Sequence, residues 1–111
     1  MATYLGRWKF SDATIKNFIE NPQDRTNAAN NLIQGFGGKM ECYYMSTGEY
    51  DGLGIFEFPE TQSINACVLL ARSTGAFRAF EITPLITAKE AQAAMNQAKT
   101  TSVRYQAPNN A

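Results

Sequence analysis

The sequence TGEYDG, residues 47–52, separates two segments whose composition is typical of β-strands. Glycine and aspartate near its ends favour turns, because they accept the backbone conformations that tight turns require. Apolar and aromatic residues dominate 39–46 before it and 53–58 after it, which favours extended backbone on both sides. The pattern therefore predicts a β-hairpin in the middle of the chain.

Strands and helices are predicted to alternate on both sides of the hairpin. Residues 3–10 alternate apolar and polar side chains and predict the first strand. Two helices are predicted next, one capped by Ser11 and one starting at Asn21 and Pro22. After the hairpin, a helix, a fourth strand and a last helix are predicted at residues 61–74, 76–86 and 88–98. This order predicts an α+β ferredoxin-like βαββαβ sandwich with a C-terminal helix, and the first and third strands at the sheet centre.

Length and charge limit the classes of protein to consider. The 111 residues predict one domain at 1–99 with a polar C-terminal tail at 100–111. The ten basic and ten acidic residues cancel, so no nucleic-acid partner is expected. The sequence has no apolar run of about 18 residues and no signal-peptide pattern at its start, so we expect no membrane association and a cytoplasmic location.

The chain has no histidine, which excludes catalytic couples of serine or cysteine with histidine inside it. Cys42 and Cys67 are not spaced as metal ligands, and two free thiols that pack as small apolar side chains are expected. No metal and no cofactor are therefore predicted. Acid–base chemistry at neutral pH would depend on carboxyl, tyrosine, lysine or cysteine groups.

The predicted helices cover one face of the sheet only. The other face is expected to carry Leu5, Tyr43, Met45 and Ile55 among charged side chains, and the third strand is apolar on both sides. Strands that are apolar on both faces are usually buried on both faces, and a second copy of the chain is the simplest cover. The sequence therefore predicts a homodimer or a higher homo-oligomer, with sheet packed against sheet.

Five short motifs occur in order along the chain: Asp24-Arg25, Gly37-Gly38-Lys39, Thr47–Asp51, Phe56–Glu60 and Ser73-Thr74-Gly75. Together they resemble the GYD-domain family, whose Gly-x-Tyr-Asp signature is matched by Gly48, Tyr50 and Asp51. The resemblance runs from Tyr4 to about Glu90. One departure is Ala13-Thr14, where the family commonly has Gln-Gly.

The resemblance implies the dimeric α+β barrel superfamily. That superfamily includes cofactor-free monooxygenases, muconolactone-isomerase-like enzymes and small stress-response proteins, whereas the GYD family itself has no well-established activity. Three functions stay open: a homo-oligomer that binds a small apolar or aromatic ligand, a cofactor-independent monooxygenase or isomerase-like enzyme, and a structural assembly module. The candidate ligand-binding residues are Arg7, Arg25, Tyr43, Tyr50, Asp51 and Glu57.

Each candidate also has a structural interpretation. Asp51 could bond backbone N–H groups near the turn while Tyr50 packs on a helix end. Arg7 is the expected counter-charge for Glu57 if their strands adjoin, and a sheet carboxylate in a dimer interior could otherwise act as a general base. Arg25 could be a partner of Asp51 or of Glu49.

Overall fold

One antiparallel sheet of four strands organises the chain, and the computed structural model describes residues 1–110. The strands lie in the order β2-β3-β1-β4. Their bounds are β1 (Ala2–Phe10), β2 (Lys39–Met45), β3 (Gly52–Phe58) and β4 (Phe77–Leu85). The helices are α1 (Asp12–Glu20), α2 (Thr26–Gly35), α3 (Thr61–Ser73) and α4 (Ala88–Thr100), with a short 3-10 helix at Pro108–Asn110. The predicted α+β ferredoxin-like fold is confirmed, and β1 and β3 lie at the sheet centre.

Local signals explain where most helices begin and end. The Ser11 side chain accepts the N–H of Thr14 and caps α1. Thr87 and Glu90 form the predicted reciprocal capping box at the start of α4. Gly37 and Gly75 have φ angles of 76° and 77°, the left-handed conformation in which glycine commonly follows a helix.

The predicted start of α2 was wrong. Asn21 ends α1, because its backbone N–H donates to the Asn17 carbonyl at 2.7 Å. The second helix begins at Thr26, where the Asp24 carboxylate accepts the Thr26 backbone N–H at 2.9 Å. This bond lies downstream of Pro22, and residues 21–25 form an irregular connection between α1 and α2.

Aromatic side chains from the two central strands form the core. Tyr4, Trp8 and Phe10 of β1 and Phe56 and Phe58 of β3 point to the helix side and are all buried. The helices complete the cluster with Ile33, Ile64 and Cys67. Full burial stabilises a large apolar side chain by about 1.5–3 kcal/mol, so these side chains supply the main driving force for folding.

Two glycines of β3 make room for this aromatic layer. A Cβ on Gly52 would lie 2.5 Å from the Trp8 indole, and one on Gly54 would lie 2.5 Å from the Phe56 ring. The rings of β1 and β3 therefore lie flat over the glycine positions, which explains the glycines inside a strand. Trp8 Nε1 is buried with no hydrogen-bond partner among residues 1–110, so packing holds the indole in place.

A bulge in β2 changes which side chains face the helices. Met40 pairs with Phe56 but Cys42 pairs with Ile55, so the register shifts at Glu41. Tyr43 consequently lies on the helix side, opposite Gly54, and its expected position on the outer face was wrong. The outer face of the sheet, meaning the face away from the helices, carries Leu5, Arg7, Lys9, Cys42, Tyr44, Leu53, Ile55, Glu57 and Glu81.

The C-terminal arm, residues 86–110, projects from the rest of the molecule. The longest dimension is 59 Å and the radius of gyration is 18.1 Å, against about 13 Å for a compact domain of this length. No residue of α4 is buried. Met95, Val103 and Tyr105 are among the exposed apolar side chains. Ala111, the end of the predicted tail, lies outside the described residues, and within 1–110 no helix has the length and hydropathy to cross a membrane.

Candidate functional site

The signature tyrosine lies over the outer face of the sheet. The Tyr50 hydroxyl donates to Glu81 Oε2 at 2.6 Å, and Arg7 forms a salt bridge with the other oxygen of the same carboxylate. The Arg7 guanidinium carbon lies 4.4 Å from the centre of the Tyr50 ring. These three residues, named here the outer cluster, connect the hairpin loop to β1 and β4.

The register of the sheet explains why Arg7 bonds Glu81 rather than Glu57. Arg7 and Glu81 are direct partners in the β1–β4 pairing, whereas on β3 the partner of Arg7 is Leu53. Glu57 lies four residues further along β3 than Leu53, which corresponds to about 13 Å because a strand rises about 3.3 Å per residue. The expected pairing of Arg7 with Glu57 was therefore wrong, and Glu57 lies opposite Thr3 and Lys39.

Hydrogen bonding within the outer cluster sets its protonation. The pKa of Glu81 is lowered, mainly by the hydrogen bond from Tyr50 and next by the hydrogen bond from Arg7. The same contact with Glu81 raises the pKa of Tyr50 and is also the main reason that the pKa of Arg7 is raised. At neutral pH the cluster therefore holds a carboxylate, a phenol and a guanidinium. This arrangement can hold a loop or a polar ligand, but an ionised carboxylate that is stabilised in this way is a weak base.

The signature aspartate attaches the hairpin to the end of β1. Asp51 Oδ2 accepts the N–H of Phe10 at 2.8 Å, and the N–H of Asp51 donates to the Trp8 carbonyl at 2.8 Å. The Asp51 carbonyl accepts the N–H of Ser46 across the loop at 2.8 Å. The side chain thus bonds a backbone N–H of a neighbouring strand, and this contact keeps the loop beside Phe10.

A large cleft opens between the inner face of the sheet and helices α1, α2 and α3. Its volume is about 740 Å³, within the range of small-molecule sites. We name it the inner cleft. Its lining is mainly aromatic and aliphatic and includes Trp8, Phe18, Leu32, Tyr43, Val68 and Phe80.

Three stacked rings form the floor of the inner cleft. Trp8 lies between Tyr43 of β2 and Phe80 of β4, with ring centres 5.4 and 5.5 Å apart. The stack crosses β3 because Gly52 leaves space for the indole. Burial raises the pKa of Tyr43, so this side chain stays neutral and can donate a hydrogen bond.

Arg25 lies at the edge of the same cleft, away from the signature loop. Its Nη1 donates to Gln23 Oε1 at 3.1 Å. The expected pairing of Arg25 with Asp51 or Glu49 was wrong, because the irregular connection before α2 places Arg25 on the helix side of the sheet. The structure therefore divides the predicted residues, with Tyr43 and Arg25 at the inner cleft and Arg7, Tyr50 and Glu57 on the outer side.

Two residues at these sites were underestimated from the sequence. Phe80 lines the inner cleft, and Glu81 is the acid that holds Tyr50 and Arg7. Both positions follow from the phase of β4, in which Phe80 pairs with Trp8 and Glu81 with Arg7. The sequence pattern alone does not define that phase, because apolar and polar residues do not alternate strictly along β4.

Comparisons with known proteins give one family match and two solved structures of similar shape. The family model for the GYD domain matches residues 4–95. The crystal structure of MtbAldR superposes with a TM-score of 0.52 at 16% identity, covering 96% of this chain and 58% of that protein. An uncharacterized NIPSNAP domain protein from Burkholderia xenovorans has a TM-score of 0.48 at 9% identity, covering 79% of this chain and 95% of that one. Among proteins with curated descriptions, none matches. Because the GYD model extends over most of the sequence, from β1 into α4, this chain belongs to the GYD-domain family.

Proposed function

We propose that this GYD-domain protein is a homo-oligomer that binds a small apolar or aromatic molecule in the inner cleft. The observation that carries the proposal is the cleft itself, which has a volume of about 740 Å³ and a floor of stacked aromatic rings. Aromatic side chains bind apolar ligands well because they bury a large area at low conformational entropy. The interior of a small domain would otherwise be filled by its own side chains.

Binding is better supported than catalysis. A cofactor-independent monooxygenase or isomerase-like enzyme would require a proton acceptor near neutral pH at its cavity. Among the described residues that line the inner cleft there is no aspartate, glutamate or lysine. Tyr43 and Cys67 do line it, but burial raises the pKa of both side chains, away from neutrality. The outer cluster does contain an acid and a phenol, but its hydrogen bonds lower the pKa of Glu81 and raise that of Tyr50, away from neutrality in both cases.

Two surfaces support self-association. The outer face of the sheet holds the half-buried side chains of Leu5, Leu53 and Ile55 on the two central strands. The C-terminal arm adds exposed apolar side chains. A second copy that packs sheet against sheet would bury the first surface and enclose the outer cluster. A module for assembly alone would need no cleft, so the inner cleft favours a binding role in addition to assembly.

Ligand binding can be tested with 1-aminoanthracene, a neutral aromatic probe whose emission increases in apolar sites. Trp8 is the single tryptophan and lies in the cleft floor, so the bound probe should quench its emission. Ala29→Phe would fill the cleft from α2 and should weaken binding about tenfold or more, because a filled site loses most of its apolar contact area. Ala93→Phe on the exposed face of α4 is the matched control and should bind as the parent protein does. Equal binding to both variants would place the probe elsewhere and refute the cleft as the site.

Self-association can be tested by sedimentation equilibrium at micromolar concentration. Ile55→Lys introduces a charge at the centre of the outer face and should shift the protein towards monomers. Lys16→Glu, on the exposed surface of α1, is the control, because it changes charge away from both the outer face and the C-terminal arm. A parent protein that sediments only as a monomer would contradict the proposed oligomer.

A further inference from the structure

Arg25 is the one charged residue among the described residues that line the inner cleft. Every other polar group of the lining is neutral, and most of the surface is apolar. A single guanidinium at the edge of an apolar cleft distinguishes ligands that carry a negative group from ligands that do not. Arginine also suits this role geometrically, because its planar fork of five N–H donors matches a carboxylate.

Within residues 1–110, no carboxylate forms a salt bridge with Arg25. The one side-chain bond of its guanidinium goes to the neutral Oε1 of Gln23, and Gln23 is itself anchored through Nε2 to the Asn21 carbonyl. The adjacent Asp24 carboxylate accepts both the N–H and the hydroxyl of Thr26. Gln23 therefore orients the guanidinium, and Asp24 is directed to the start of α2.

The serine and threonine hydroxyls that line the cleft are already used within the protein. Thr14 bonds Ser11 and donates to the Ala76 carbonyl at 2.9 Å. The Thr74 hydroxyl donates to the Ala71 carbonyl at 2.7 Å. The guanidinium of Arg25 therefore holds the strongest unused donors along the cleft.

We propose that the ligands of the inner cleft are amphipathic carboxylic acids, whose apolar body lies on the Tyr43–Trp8–Phe80 stack and whose carboxylate binds Arg25. This inference rests on the proposed function, since it names the ligand class of the same cleft. One guanidinium balances a singly charged carboxylate. A phosphate ester carries nearly two charges and usually requires further cations, which the described lining lacks.

The test compares decanoate with 1-decanol, which share one chain and differ in the charged group. Both are titrated at neutral pH by calorimetry, and Trp8 emission reports whether the cleft is occupied. The measured quantity is the ratio of the decanoate affinity to the decanol affinity. The two probes differ in solubility in water, but this difference is the same for every variant and cancels when the ratios are compared. Arg25→Gln should lower the decanoate-to-decanol ratio about three- to tenfold, because the carboxylate loses a partly exposed charged partner.

Two further variants locate the effect. Arg25→Lys keeps the positive charge, so its decanoate-to-decanol affinity ratio should stay close to that of the parent protein. Lys16→Gln removes a positive charge from exposed α1, outside the cleft lining, and should leave the ratio unchanged. Thermal unfolding of each variant checks that it folds, since Arg25 makes one side-chain bond only.

The outcomes separate the two proposals. If both probes bind and change the Trp8 emission but Arg25→Gln leaves the affinity ratio unchanged, the carboxylate inference is overturned and binding in the cleft stands. If decyltrimethylammonium binds more tightly than decanoate, the inference is overturned as well. If no probe affects Trp8, for example because chain from a second copy fills the cleft, both proposals are overturned.

Discussion

The hydroxyl of Tyr50 donates to Oε2 of Glu81, 31 residues further along the chain, over 2.6 Å. Glu81 also binds Arg7 on the adjacent strand, so one acid holds the signature loop and the central strand together. The Tyr50 ring covers the Arg7 guanidinium at 4.4 Å. This geometry places the tyrosine of the Gly-x-Tyr-Asp signature at the outer face, where it connects the hairpin loop to β1 and β4.

Tyr50→Phe should loosen the hairpin loop and leave binding in the inner cleft unchanged. The substitution removes the bond to Glu81 but keeps the ring on Arg7. Amide hydrogen exchange should become faster at Asp51, whose N–H is bonded to the Trp8 carbonyl. Tyr44→Phe, at an exposed outer-face position, is the control. Loss of 1-aminoanthracene binding in Tyr50→Phe would instead place this tyrosine in the ligand site.

Glu81→Gln should flatten the acid limb of the stability curve. The folded protein lowers the pKa of Glu81 below its usual value near 4.5, so the unfolded chain binds a proton more readily. The contribution of Glu81 to stability is therefore present above pH 4.5 and is lost as the pH falls through the lower folded value. Urea unfolding between pH 3 and pH 7 measures the effect, with Glu20→Gln on exposed α1 as the control. If the unfolding free energy falls equally steeply with decreasing pH in Glu81→Gln and in the parent protein, the prediction is contradicted.

Gly52→Ala should destabilise the fold by about 1–3 kcal/mol, because overpacking a core costs that amount. The added methyl would lie 2.5 Å from Trp8, which is held on both sides by stacked rings. Gly48→Ala is a matched control in the same hairpin, since its added methyl has Ser46 as the nearest neighbour at 3.5 Å. Urea unfolding followed by Trp8 emission measures both variants. Equal stability of the two would show that the indole can move aside.

The two cysteines should differ in reactivity. Burial raises the pKa of the Cys67 thiol to about 11, so the reactive thiolate is scarce at pH 8 and alkylation should require unfolding. Cys42 is half-buried on the outer face. If two copies pack through that face, Cys42 should be protected in the parent protein and should react faster in Ile55→Lys. Mass spectrometry after a timed iodoacetamide pulse distinguishes the sites, and fast labelling of Cys42 in the parent oligomer would exclude the outer face as the interface.

Local patterns predicted the elements well where one signal dominated. The capping box at Thr87 and Glu90, the glycine after α3 and the alternation of β1 each depend on residues close in sequence, and each lies where it was expected. The start of α2 was displaced because Asn21 ends α1 instead of capping α2. The bond from the Thr26 N–H to the Asp24 carboxylate, at the actual start of α2, is visible only in the folded chain.

The candidate site was harder to predict than the fold, because it depends on strand phase. One extra residue at Glu41 moved Tyr43 from the outer face to the aromatic stack. Arg7 could have faced acids on either neighbouring strand, and the β1–β4 register selected Glu81. These outcomes follow from pairing across the sheet, which the alternation within one strand does not define.

The sequence by itself determined the order of strands and helices and the α+β class, because hydrophobic period, caps and turn residues act over a few neighbouring positions. The family followed from the resemblance of its short motifs and from the match of the family model. The tertiary structure alone decided that Tyr43, Trp8 and Phe80 stack under one cleft and that Arg25 lies at its edge. It also decided that the C-terminal arm projects from the domain. Side chains from distant segments meet only where register, bulges and glycine gaps place them, and those are properties of the assembled sheet.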